Sequence, residues 1–181
     1  MTTTISSEAQ TVLRALRRTR QVREFRPDPV PDELLNELLE VARWSGSAAN
    51  SQPWTFIVIR DPEIRARLAE LAPNARHVGR APLVLAIVMG GDNPDWEAYD
   101  EGRLAERVLI AATALGLGAG IGWVTGARRP AVAELLGVPE PRYIRTMISI
   151  GYPTAAAAAP KSAPGTARKP LAELVRSERY A

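Results

Sequence analysis

The residues best suited to chemistry in this chain are arginines, glycines and amides, with almost nothing nucleophilic among them. Arg14, Arg17, Arg18, Arg20, Arg23 and Arg26 form a dense basic run. A guanidinium gives planar, paired, charge-assisted bonds to phosphate, so the run reads as a phosphate site on a small ligand, as a solvated helix face, or as a nucleic-acid contact. A second group, Gly116, Gly118, Gly120 and Gly122, repeats every other residue. It fails the G-x-G-x-x-G dinucleotide turn, which needs a strand before it and a helix after it, whereas here a helix precedes. Such glycines let the backbone approach a flat ligand closely, or form a helix cap running into a packed strand. Ser45-Gly46-Ser47 invites a hydrolase reading, but it lacks the G-x-S-x-G elbow. There is no cysteine and the only histidine is His77, in a polar stretch, where it reads as a surface or boundary residue. That removes disulfides, thiolate sites, cysteine nucleophiles and any histidine pair, and leaves no transition-metal site to propose.

The chain around these groups has 181 residues, 46% of them hydrophobic, which suits a single domain spanning 1–181. A net charge of +3 is too small an excess to imply nucleic acid. No apolar run approaches the roughly 20 residues of a membrane span, and the N-terminus lacks the basic start and apolar core of a leader. The expectation is a cytoplasmic protein without a nucleic-acid or membrane partner.

The elements that would hold these groups follow from periodicity. Val12, Leu13 and Leu16 share one side of a helix from about Ser7 to Arg18, with arginines at its C-terminal end, where cations suit the dipole. PDPVP forces extended backbone up to Asp32, an expected N-cap, and Leu34, Leu35, Leu38, Leu39 and Ala42 give a second helix ending near Gly46. SGSAANSQP is a loop before a strand from Trp54 to Ile59. Asp61 and Pro62 open a helix with Ile64, Leu68 and Leu71 inward, and APLVLAIVM is a strand buried on both faces. Leu104, Val108, Ala111 or Ala112, and Leu115 mark a long helix. The glycine stretch leads into a strand around Ile121 to Thr125, Pro130 to Leu136 is a short helix stopped by Gly137, and Tyr143 to Ile150 is a last strand. AAAAAPKSAPGTARKP reads as an extended arm, and the LAELVRSERYA beyond it offers apolar residues to a partner. The class is α+β: a mixed central β-sheet flanked by helices, with an extended C-terminal arm.

Four motifs in order carry a resemblance. TRQVREFRPDPVP and ARWSGSAANSQPW resemble the paired N-terminal signatures of the nitroreductase family; GLGAGIGW is similar to its glycine-rich segment, and Gly151-Tyr152-Pro153 followed by Arg168-Lys169-Pro170 to its ending. The resemblance implies a nitroreductase-like fold, FMN as cofactor, NAD(P)H as hydride donor, a small-molecule acceptor such as a nitroaromatic or quinone, and a homodimer with residues 154–181 exchanged between subunits. Related flavin chemistry, reductive dehalogenation or flavin fragmentation, stands as the alternative, as does a non-enzymatic flavin-binding module. Carried over by position, Arg20, Gln21 and Arg23 would hold the flavin phosphate, ribityl chain and pyrimidine edge. Ser47, Ala48, Asn50 and Gln52 belong to the loop that would reach the partner's flavin. Ile121, Gly122 and Trp123 would lie along the isoalloxazine, and Arg168 or Lys169 would close on the phosphate. No protein residue is expected to be catalytic, the flavin carrying the chemistry. Thr19 and Gln21 depart from the Arg and Ser common at those positions, and Gly46 from Pro.

Overall fold

The computed structural model describes residues 5–159 and 168–180. Its centre is a four-stranded sheet in the order β1-β2-β4-β3, with β1 at Trp54–Ile59, β2 at Leu83–Met89, β3 at Gly118–Trp123 and β4 at Tyr143–Gly151. All neighbouring strands run antiparallel. The parallel component of the expected mixed sheet is one bridge, Gln21 to Ala119, on the outer edge of β3.

Period-2 alternation sorts the inner strands onto two cores. Leu83, Leu85, Ile87 and Met89 of β2 face α2 (Asp32–Arg43) and α4 (Pro94–Ala114), whereas Val84, Ala86 and Val88 face α3 (Pro62–Leu71), α5 (Arg129–Leu135) and the turns of residues 73–80. Every residue of β2 is buried, as its unbroken apolar run requires.

Capping sets the helix starts. Ser6 Oγ accepts from Ala9 N at the head of α1 (Ser7–Arg18), Asp61 Oδ1 from Glu63 N and Ile64 N at the head of α3, and Asn93 Oδ1 from Trp96 N at the head of α4. Asp32 is not a cap. Pro31 holds that position, and Asp32 lies in the first turn with its carboxylate 2.7 Å from Arg60 Nη2.

Three boundaries differ from the expectation. β3 starts at Gly118 rather than near Ile121, since glycine's low strand propensity hides a strand that tertiary packing imposes. α4 begins at Pro94, well before its apolar stripe, because its first turns bury Glu97, Asp100 and Glu101 instead of leucines. Glu101 Oε2 lies 3.5 Å from Arg145 Nε, both side chains inside the protein. Burial raises the Glu101 pKa, and neighbouring Thr146, Arg145 and Arg129 work against that rise. The alanine run, expected to be extended, opens as a short helix, α6 (Ala155–Ala158), capped by the Thr154 hydroxyl and burying Ala157. Residues 160–167 of the expected arm lie outside the described residues. α7 (Leu171–Leu174) follows with no residue buried.

Candidate functional site

Residues 19–26 run along the open side of the sheet. Val22 N donates to Ala119 O at 2.8 Å, and Arg26 N donates to Tyr152 O at 2.8 Å. A bare sheet edge presents unpaired peptide groups, and here side chains close it: Ile121 N donates to Gln21 Oε1 at 2.6 Å, while Ile121 O lies 3.2 Å from His77 Nε2. Gln21, where the family pattern has serine, is thus a tie to β3 through its carbonyl oxygen.

The alternate glycines serve this packing, the packed-strand reading of the two that the sequence leaves open. A Cβ on Gly118 would come within 2.5 Å of Val22 Cγ1, one on Gly120 within 2.4 Å of Val22 O, and one on Gly122 within 2.6 Å of Ala75 Cβ. The chain's own residues fill the cradle. Gly116, at φ +75°, ends α4 in the left-handed conformation. What β3 offers a ligand is its other face and its end: half-buried Ile121, and Trp123, which is 46% exposed with the Arg129 guanidinium 5.9 Å from its ring centre.

Arg20 and Arg23 are both exposed on this segment. Arg20 Nη2 donates to Ala157 O at 3.3 Å and to Ala158 O, tying the segment to the end of α6. Beside it a cavity of about 450 Å³ is lined by Arg14, Arg18, Arg20, Gly116 and Leu117. The basic run is therefore divided between a helix face and a concave basin. Arg168 and Lys169 are exposed ahead of α7 and do not line that basin.

The amide loop is elsewhere. Residues 48–50 make a tight turn in which Ala49 (φ 50°), Asn50 (φ 55°) and then Gln52 (φ 49°) adopt left-handed backbone without being glycine. Each such residue costs on the order of 1 kcal/mol or more and persists only where its surroundings over-determine it. Here the buried Asp100 carboxylate accepts from Ala48 N at 2.9 Å, and Ser47 Oγ accepts from Gln52 N at 2.8 Å. Gly46 lies under Arg103, with a Cβ there falling 2.4 Å from Nη2, so this arginine occupies the space a proline ring would take. The loop lines a groove of about 550 Å³ with Trp96, Glu97 and Asp100. It leads into β1, the edge strand opposite β3. Three strand spacings, about 14 Å, separate the two edges, with the Asn50 loop leading into one and Arg23 beside the other.

His77 is the residue that the sequence did not single out for this site. Burial lowers its pKa, the Arg23 charge adds to that, and the Ile121 carbonyl opposes it. Its partner is 44 positions away, and no local pattern signals the contact.

Comparison with known proteins bears on this arrangement. The model of the Nitroreductase family matches residues 16–75 and 72–152. A Thermus thermophilus protein called NADH dehydrogenase is 34% identical over 176 residues, covering 77% of this chain and 84% of its own. The NADPH-flavin oxidoreductase of Vibrio harveyi is 29% identical over 151 residues, covering 74% of this chain and 62% of its own. The solved structure of the NADPH:FMN oxidoreductase from Vibrio harveyi, complexed with NAD+, superposes with a TM-score of 0.79 at 25% identity, covering 94% of this chain and 78% of the other.

Proposed function

Because this chain belongs to the nitroreductase family, we propose that it is an FMN-dependent NAD(P)H oxidoreductase that takes hydride from the nicotinamide and passes it to a small acceptor such as a nitroaromatic or quinone. The observation that carries the reading is the segment of residues 19–26, which sets Arg20 and Arg23 outward along β3 while Trp123 stays exposed at the strand's end.

The donor set fits the cofactor. Arg20, with Arg14 and Arg18 of the basin, matches a phosphate by charge and fork geometry. Ile121 and Trp123 give a flat, partly apolar wall for a ring system. Arg23 supplies a fixed cation for the pyrimidine edge, where reduction places negative charge. Bound there, FMN supplies the hydride chemistry, and the protein supplies binding, orientation and electrostatics. The second half of the site comes from a second chain: Asn50, with Ser47, Ala48 and Gln52, reaches the flavin held by the partner. Arg168 or Lys169 closes on the phosphate. The separation of the Asn50 loop from Arg23 within one chain supports this division.

The purified protein is expected to be yellow, to release FMN rather than FAD on denaturation, and to bleach rapidly with NAD(P)H under anaerobic conditions. Chromatography of the released flavin identifies it. A colourless protein that FMN does not reconstitute would overturn the reading, and flavin bound without bleaching would favour a binding module over an enzyme.

A further inference from the structure

We propose that His77 and Gln21 form a two-sided clamp on the Ile121 peptide, making His77 a positioning residue for the β3 wall of the flavin site. The clamp rests on the flavin reading of this edge. Ile121 lies where an edge strand ordinarily leaves its peptide groups to solvent or to another strand. Here both groups are taken by side chains from distant parts of the chain, the N–H by Gln21 Oε1 at 2.6 Å and the C=O by His77 Nε2 at 3.2 Å.

The ring's state follows from its surroundings. A carbonyl oxygen only accepts, so Nε2 carries the proton. Nδ1 is buried and has no hydrogen-bond partner among the described residues. Burial and the neighbouring Arg23 charge both disfavour a second proton there. The imidazole is therefore a neutral donor with a fixed tautomer. A Cβ on Gly122 would meet Ala75 Cβ at 2.6 Å and His77 Cε1 at 3.3 Å, so the glycine admits the turn that carries the ring against the strand.

The consequence is mechanical. With both main-chain groups of Ile121 tied, β3 resists rotating outward at Ile121 and Trp123, the residues proposed to lie along the ring system. With the His77 tie cut, a partly buried carbonyl loses its partner, and with the Gln21 tie cut, an exposed N–H turns to water; in both cases the wall loosens. Gln21 links this clamp to the segment carrying Arg20 and Arg23, so cation and wall are held in one register.

The test compares full-length His77→Phe, which keeps an aromatic ring but no donor, with His77→Gln, whose carboxamide N–H replaces Nε2–H. FMN affinity of the apoproteins is read by flavin fluorescence quenching, with urea unfolding of each apoprotein alongside. Loss of one neutral hydrogen bond predicts about fivefold weaker binding in His77→Phe, and His77→Gln should stay within about twofold of wild type. Gln21→Leu, on the exposed side of the strand, should also weaken binding about fivefold, and it carries the test if His77→Phe does not fold. Unchanged affinity in His77→Phe and Gln21→Leu would overturn the clamp, as would a His77→Gln loss equal to that of His77→Phe. Wild type that binds no FMN would remove the flavin reading and the clamp with it; wild-type binding with unaffected variants would remove the clamp alone.

Discussion

Arg23 separates two readings that residue type alone leaves equivalent. A guanidinium on a solvated face contributes little, whereas one placed against the pyrimidine edge of a reduced flavin is partly desolvated and stabilises the developing charge. Its position next to the residues that clamp β3 favours the second. Arg23→Ala is expected to weaken FMN binding on the order of tenfold or more, since a hydrogen bond to a charged group is worth about 1.5 to 3 kcal/mol. It should also lower the midpoint potential of the bound flavin, because the lost cation favours the reduced form. A fluorescence titration and a dye-equilibrated reductive titration read the two quantities. Unchanged values in both would return Arg23 to the solvated face.

The element that organises the site is β3, an edge strand built of small residues. Gly118 and Gly120 admit Val22 so closely that the backbone of residues 19–26 becomes a partial fifth strand. Gly120→Ala should push this segment away, because its Cβ would meet a backbone oxygen, which cannot rotate aside as a side chain can. Overpacking of this kind costs about 1 to 3 kcal/mol. The variant is expected to unfold at lower urea and to bind FMN more weakly. Gly126→Ala is the control that should change neither, since a Cβ at that position would have nothing within 4 Å. A Gly120→Ala protein as stable as wild type would show that residues 19–26 tolerate displacement.

At the scale of the whole molecule, the surface shows what one chain leaves uncovered. Val12 and Leu16 of α1 are 56% and 46% exposed, and Leu171, Leu174 and Val175 are 74%, 61% and 57% exposed. An amphipathic helix and a terminal segment with bare leucines suit an isologous interface with an exchanged arm. Such a permanent dimer would bury more than about 2,000 Å² in total. Its two-fold axis would carry the Asn50 loop of one subunit to the Arg23 edge of the other. Mixing Asn50→Ala chains with Arg23→Ala chains, each impaired as a homodimer, is then expected to restore one competent site per heterodimer. Sedimentation gives the oligomeric state, and activity of separately tagged, doubly purified heterodimers gives the rescue. A monomer with full flavin occupancy, or verified heterodimers without rescue, would rule out the shared site.

Much of this was legible from residue type and order. Buried strands without polar breaks, cap residues ahead of apolar stripes, and four motifs in sequence led to α+β, to the family and to the segments that would bind a flavin. These signals are local, set by periodicity and backbone preference, and they need no knowledge of which strand lies beside which. What only the tertiary structure decided was pairing across long separations. The glycines of β3 accommodate Val22 and Ala75 rather than a ligand, because the chain itself returns to fill that face. Gln21 is held to a peptide N–H of β3 along its exposed edge, and His77 is drawn from a polar turn to a carbonyl 44 positions away. α4 buries Glu97, Asp100 and Glu101, which a hydrophobic pattern places in solvent, because the chain folds partners around them: the peptide N–H of Gly91 and the Tyr143 hydroxyl donate to Glu97, the peptide N–H of Ala48 donates to Asp100, and the Arg145 guanidinium stands as counter-charge 3.5 Å from Glu101. Burial of a charge is stable only where such partners converge, and convergence is a property of the fold, absent from any window of the sequence.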